Sequence, residues 1–333
     1  MVCMGHRKYS APRRGSLAFR PRARAKSMEA RVRNWPENGE KKLNLAGFAG
    51  FKAGVIHVLT VDDREKTPNY GKHLVNPCSV VVTPALRIIG IRVYAGNQYG
   101  KHVLFDVYSR DLPKGFPRKS GGESDDEKLG SLESKVDTAT SVMAIVAVSA
   151  HDVGLSQKKP YVFEIGVTGK DIKSRYEYLK NLLGKEVRVS DVFHAGENVD
   201  VSAITRGKGI EGPITRFGVK RKQHKSRKSV RALGTLGPIS PAVVTYTVPR
   251  QGQRGFHQRT EYNKRIIMVS NSGTNDAINP SGGFKHFGLV RGDYVVVRGS
   301  IPGVPKRLIK LRLPIRDYQK KIIEPKIIEV IVQ

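Results

Sequence analysis

The chain has 333 residues, 39% of them hydrophobic, with 34 Gly and 18 Pro, which suits a substantial core joined by many turns and long irregular segments. Its formal net charge is +30, from 59 Lys and Arg against 29 Asp and Glu, and such a field draws nucleic acid or another polyanion to the surface. Two cysteines, Cys3 and Cys78, exclude a disulfide framework or a CxxC knuckle and suit reduced thiols in a cytoplasmic protein, while the most apolar run, 138–150, is 13 residues and too short to cross a bilayer.

Residues 1–42 carry 12 basic and three acidic residues, and prolines interrupt any periodicity. They read as an extended arm with no secretory h-region. It is either a solvated tail or an arm that orders on RNA. Arg7, Lys8, Arg13, Arg14, Arg20, Arg22 and Arg24 offer donors to phosphate, the arginines as planar forks. Tyr9, Phe19 and Trp35 offer faces for stacking. Trp35 can equally be a plug that packs the arm onto the body.

From Leu43 the pattern turns to strands. Residues 54–61 alternate, with Val55, His57, Leu59 and Val61 on one face, and Gly47, Gly50 and Gly54 are expected at tight bends of a small barrel. Two strands flank the Thr83-Pro84 turn, and KHVLFDVYS gives another. The acidic segment 120–137 reads as a solvated loop with a short helix, turned away from RNA. Residues 138–150 and 160–169 read as buried strands. The stripe Ile172, Tyr176, Leu179 and Leu183 predicts a helix that Gly184 ends. Strands return at 199–204 and 265–269. NPSGGFKHFGLV is a turn-rich loop, and DYVVVRGSIPG, KRLIKLRLP and PKIIEVIVQ complete the β content.

Between those strands lies 205–265, with 15 Lys and Arg against two acids, Glu211 and Glu261. A core cannot absorb so many unpaired cations, so this insertion is expected to project. A structureless stretch of that length points to function or to ordering on a partner. Gly207–Gly212 matches G-x-G-x-x-G, but Pro213 follows at once, no helical stripe appears and 225–240 holds no acid for a ribose. Backbone contact with phosphate, helped by Arg206, Lys208 and Arg216, is the better account than a nucleotide site. Lys220, Arg221, Lys222, His224, Lys225, Arg227, Lys228 and Arg231 form a cationic shaft, which taken alone also reads as a generic polyanion or nuclear-localisation patch. Leu236, Gly237, Pro238, Ile239, Ser240 and Pro241 form an uncharged tip. On the return, Arg250, Gln253, Arg254, His257, Arg259 and Lys264 are interleaved with Phe256 and Tyr262, a mixture suited to shaped RNA. The nine histidines show no HExxH spacing and no triad stands out, so no catalytic, metal or cofactor residue is expected.

At HRKYSAPRRGSL, LAGFAGFKAGVIHVL, VSAITRGKGIEGPITRFGVK, RQGQRGFHQRTEYNK, NPSGGFKHFG and VVRGSIPGVPKRLIKLR the chain resembles universal ribosomal protein three of the large subunit, in its archaeal form. The resemblance covers almost everything from Gly5 onward. It implies a mainly β fold: a translation-factor-type β-barrel body with an inserted α+β subdomain near 85–190, an N-terminal arm, and a long internal loop threaded into large-subunit rRNA. It further implies a non-catalytic structural role early in subunit assembly, with the 236–241 tip near the peptidyl transferase centre. The implied partners are large-subunit rRNA and neighbouring ribosomal proteins, with no membrane and no small-molecule substrate. Relatives from eukaryotes carry a Trp-His pair near the tip, where this chain has Leu236 and Gly237, so no indole role carries over. Residues 1–4 precede the usual family start, which makes Met4 a candidate initiator. A general nucleic-acid-compacting protein is the alternative, and a nucleotide-dependent enzyme using Gly207–Gly212 is a weaker third reading.

Overall fold

Runs rich in Val and Ile, broken by Gly and Pro, favour strands because β-branched side chains pack well on a pleated surface. The computed structural model describes residues 13–36, 43–110, 112, 116, 136–226, 229–270, 278–316 and 322–332. Among them the fold is mainly β. The strands are β1 (Gly47–Val61), β2 (His73–Val82), β3 (Leu86–Asn97), β4 (Gly100–Tyr108), β5 (Ser141–Val148), β6 (Tyr161–Gly166), β7 (Glu186–Val187), β8 (Asn198–Ile204), β9 (Ile210–Glu211), β10 (Gly252–Gln253), β11 (Gln258–Ser270), β12 (Tyr294–Arg298), β13 (Leu308–Arg312) and β14 (Ile327–Ile331). The α-helices lying wholly within the described residues are α1 (Ile172–Leu182) and α2 (Pro213–Phe217). No described helix is long and apolar enough to cross a membrane. The expected acidic loop lies almost wholly outside the described residues.

The chain divides into two compact units, one of Met1–Ser27 with Thr205–His257 and the other of Met28–Ile204 with Gln258–Gln333. In the second unit, seven strands pair in the order β13-β8-β11-β12-β2-β1-β14, and β13 also pairs with β1. Six strands therefore close a circuit of hydrogen bonds, with β14 hanging from β1. A second sheet runs β4-β3-β5-β6, with β7 on β3 and α1 packed on β3 and β5. One apolar cluster runs through both sheets, from Phe48, Phe51 and Val81 to Ile91, Ile165 and Leu179.

Strand β1 begins seven residues before the expected position, and its glycines are not bends. None of Gly47, Gly50 and Gly54 has positive φ. Instead, a Cβ at Gly50 would fall 2.5 Å from Val82 O, and one at Gly54 would fall 2.3 Å from the Phe284 ring. These glycines admit close neighbours to a continuous strand, the other use of Gly in sheets. The face carrying Val55, His57, Leu59 and Val61 is also the more exposed one; Ile56 and Val58 point into the core. In α1, Tyr176 and Leu179 are buried as the stripe requires, joined by Arg175, whose guanidinium donates to Gly169 O. Strand β11 starts at Gln258, earlier than the expected 265, because Gln258–Glu261 pair with Val201–Ile204 of β8.

Residues 28–36 lie on this unit, held by three devices. Trp35 packs against Gly47 and Gly166: a Cβ on Gly166 would sit 2.7 Å from Trp35 Cβ and Cγ. Lys310 Nζ meets Glu29 Oε1 at 2.6 Å and stands 4.0 Å from the Phe163 ring centroid. Arg312 pairs with fully buried Asp200 at 2.6 Å and donates to Asn34 O at 2.7 Å. Breaking one partner of such a buried pair strands a charge. Burial pulls the Lys310 ammonium below its ordinary pKa, and Glu29 opposes the shift. Trp35 is thus a plug between arm and sheet, the second of its two sequence readings. Cys78 is a free, buried thiol, pushed up to about 11 by burial and so unreactive at neutral pH.

Candidate nucleic-acid interface

The smaller unit is where the charge concentrates. Its two segments contain 20 Lys and Arg and a single acid, Glu211. The segment 205–257 leaves and returns as an antiparallel pair. Thr205 N donates to His257 O at 3.0 Å, Lys208 N to Arg254 O at 2.9 Å and Arg254 N to Gly209 O at 2.8 Å, and β9 then pairs with β10. Gly255, at φ +71°, makes this approach possible, since a Cβ there would lie 2.0 Å from Arg206 O. Glu211 is spent on Arg254 at 2.6 Å.

The arm joins this pair. Ala25 N donates to Phe256 O at 2.8 Å, and His257 Nδ1 contacts Ala23 O at 2.8 Å. Farther out, three guanidiniums gather on the buried Phe217 ring: Arg22 at 4.4 Å, Arg216 at 5.1 Å and Arg20 at 5.5 Å from its centroid. The ring's negative face offsets part of their mutual repulsion. Arg216 is fixed by donating to Gln253 O at 3.0 Å and Arg250 O at 3.1 Å. Burial, then the neighbouring charge of Arg20, holds its guanidinium below the ordinary value. Arg13 and Arg20 both reach Thr247 O.

Of the residues singled out by sequence, Arg13, Arg14, Arg24, Arg206, Lys208, Lys220, Arg221, His224, Lys225, Arg231 and Arg250 are exposed. Arg20, Arg22, Arg216, Lys222, Gln253, Arg254 and His257 are half-buried, and the side chains of Arg20, Arg22, Arg216, Gln253, Arg254 and His257 make ties within the unit. Arg259 and Lys264 lie on β11 in the larger unit, where Lys264 pairs with Glu261 at 2.7 Å. Arg7, Lys8, Arg227 and Lys228 fall outside the described residues. Leu236, Gly237, Pro238, Ile239, Ser240 and Pro241 are exposed, Ile239 by 96%. Phe217 and Tyr246 were not singled out by sequence. The signal available was an aromatic beside Arg216 and another in an otherwise aromatic-free stretch.

The family model for Ribosomal protein L3 matches residues 4–333. The chain belongs to that family. A Large ribosomal subunit protein uL3 from Methanococcoides burtonii is 41% identical over 100% of this chain and 99% of its own length. Proteins of the same name from Caldivirga maquilingensis, 44% identical over 93% of this chain and 91% of its own length, and Archaeoglobus fulgidus, 42% identical over 93% of each, are similar. The Ribosomal protein L3 family is one of ribosomal proteins and not of enzymes. One expectation about Gly207–Gly212 needs correction: a helix, α2, does open directly after it. Pro213 is its first residue, where a missing N–H costs nothing, and Gly218 closes it with φ +65°. At five residues it is a single turn that seats Phe217 and Arg216; Gly209 accepts from Arg254 N before β9, and Gly212 caps α2 after it.

Proposed function

We propose that this chain is a structural rRNA-binding protein of the large ribosomal subunit in the cytoplasm, acting early in subunit assembly beside other ribosomal proteins. The observation that carries the reading is the smaller unit, in which arm and insertion are tied together with 20 cations and one acid, itself paired. In this account exposed arginines and lysines displace condensed counterions from RNA, and the internal ties fix their spacing. The closed strand circuit is a small β-barrel of translation-factor type, carrying the second sheet as an inserted α+β subdomain near 85–190. The arm up to residue 27 and segment 205–257 penetrate rRNA, and the tip at 236–241 supports the RNA around the peptidyl transferase centre through small apolar contacts. The chain holds RNA in place and performs no chemistry of its own. Tagged protein is expected to co-sediment with large subunits, and a photocrosslinker at Ile239 is expected to label large-subunit rRNA. Protein that stays at the top of the gradient, or that competes equally for duplex DNA and rRNA at physiological salt, favours a general compactor instead.

A further inference from the structure

The smaller unit contains a cavity of about 560 Å³, built from the arm and from both halves of the insertion. That lies within the roughly 300–1,000 Å³ of small-ligand clefts. Its lining combines two chemistries. Arg20, Arg22, Arg216 and Arg250 contribute cations, and no acid lines it. Val244, Val248 and the rings of Phe217 and Tyr246 contribute apolar surface.

The arginines are not equivalent. Arg216 is committed to two backbone carbonyls. Arg20 makes only a long 3.5 Å hydrogen bond from one terminal nitrogen to Thr247 O, and Arg250 is exposed. Tyr246 is 71% exposed, with the Arg20 guanidinium 5.8 Å from its ring centroid. A bare phosphate would satisfy the cations and leave the apolar lining wet. A stacked duplex base cannot enter, because its faces are already covered by its neighbours. A single nucleotide out of its stack meets both demands, with an anion and a flat apolar ring joined at a fixed distance.

We propose that this cavity receives one unstacked nucleotide of RNA, its base against Tyr246 and the Val244 and Val248 side chains and its phosphate on Arg20 and Arg250. The proposal rests on the reading of this unit as RNA-binding and adds a site within it. Occupation relieves the repulsion among the guanidiniums crowded on Phe217. It also gives a reason for arm and insertion to be built as one unit, since each supplies part of the pocket.

The test uses the full chain and two RNA hairpins, one fully paired and one with a single unpaired 4-thiouridine in the stem. The unpaired nucleotide is expected to raise affinity about tenfold, the scale of one base–aromatic stack. In Tyr246→Ala the ratio of the two affinities is expected to fall to about one. Irradiation is expected to crosslink the thiouridine to the peptide spanning 244–250. Equal binding of both hairpins by the unaltered chain overturns the proposal, as does a preference that survives Tyr246→Ala or a crosslink elsewhere. If neither hairpin binds at low salt, the RNA-binding reading fails along with it.

Discussion

Replacing Gly166 by Ala tests whether Trp35 pins the arm to the sheet. The three heavy atoms nearest the added Cβ would all belong to Trp35, with Cβ and Cγ both at 2.7 Å. Overpacking of this kind costs about 1–3 kcal/mol. Without the indole, the same change removes a strand glycine and is expected to stabilise by about 0.5–1 kcal/mol. The background must be Trp35→Gly, because Trp35's own Cβ is part of the clash. Gly166→Ala should therefore change sign between the two backgrounds, a coupling of about 2 kcal/mol or more. Gly47→Ala supplies a control. Its Cβ would meet Leu311 O at 2.5 Å as well as the indole, so it should destabilise in both backgrounds. Urea unfolding followed by far-UV circular dichroism is the assay, since Trp35 is the only tryptophan. If Gly166→Ala has the same effect in both backgrounds within about 0.5 kcal/mol, the plug is not seated as described.

Three further outcomes are expected. Hydrogen bonds from Arg265 hold the Asp63 carboxyl below its ordinary pKa of 3.8, so its stabilisation is present above about pH 4 and is lost as pH falls through the lowered value; Asp63→Asn should flatten the acid limb of the urea midpoint below about pH 4. Glu211→Gln releases Arg254 and should steepen the logarithmic salt dependence of RNA binding by about 0.7–0.9, measured by filter binding across a salt series. Gly255→Ala, with its Cβ 2.0 Å from Arg206 O, should open the antiparallel pair and raise the rate of proteolytic nicking within 205–257 while the larger unit stays resistant.

Local pattern carried most of the strands and the main helix. Alternation marked β1, but both of its faces are largely apolar, so periodicity could not say which one turns inward. Its glycines serve neighbours rather than bends, and sequence shows only that a side chain is absent, not which neighbour needs the space. At α2 the stripe was too short to register, and Pro213, which in the sequence argued against a helix, is the residue that opens it. Charge counting located the basic insertion and the arm separately. It could not join them, since the contact between the His257 ring and the Ala23 carbonyl spans 234 residues and involves no charge pattern. For the same reason Phe217 was invisible as a site, because its three guanidiniums come from the arm and from its own helical turn.

The most direct test of the central claim is the salt dependence of binding to large-subunit rRNA by a variant that lacks residues 210–253. Joining Gly209 to Arg254 needs little rearrangement, because Arg254 N already donates to Gly209 O at 2.8 Å. The deletion removes nine Lys and Arg and one acid and leaves the strands of the larger unit whole. With the folded body verified by circular dichroism, the logarithmic slope should become shallower by about 3–7 relative to the full chain. An unchanged slope and affinity would place the RNA contacts elsewhere and contradict the account.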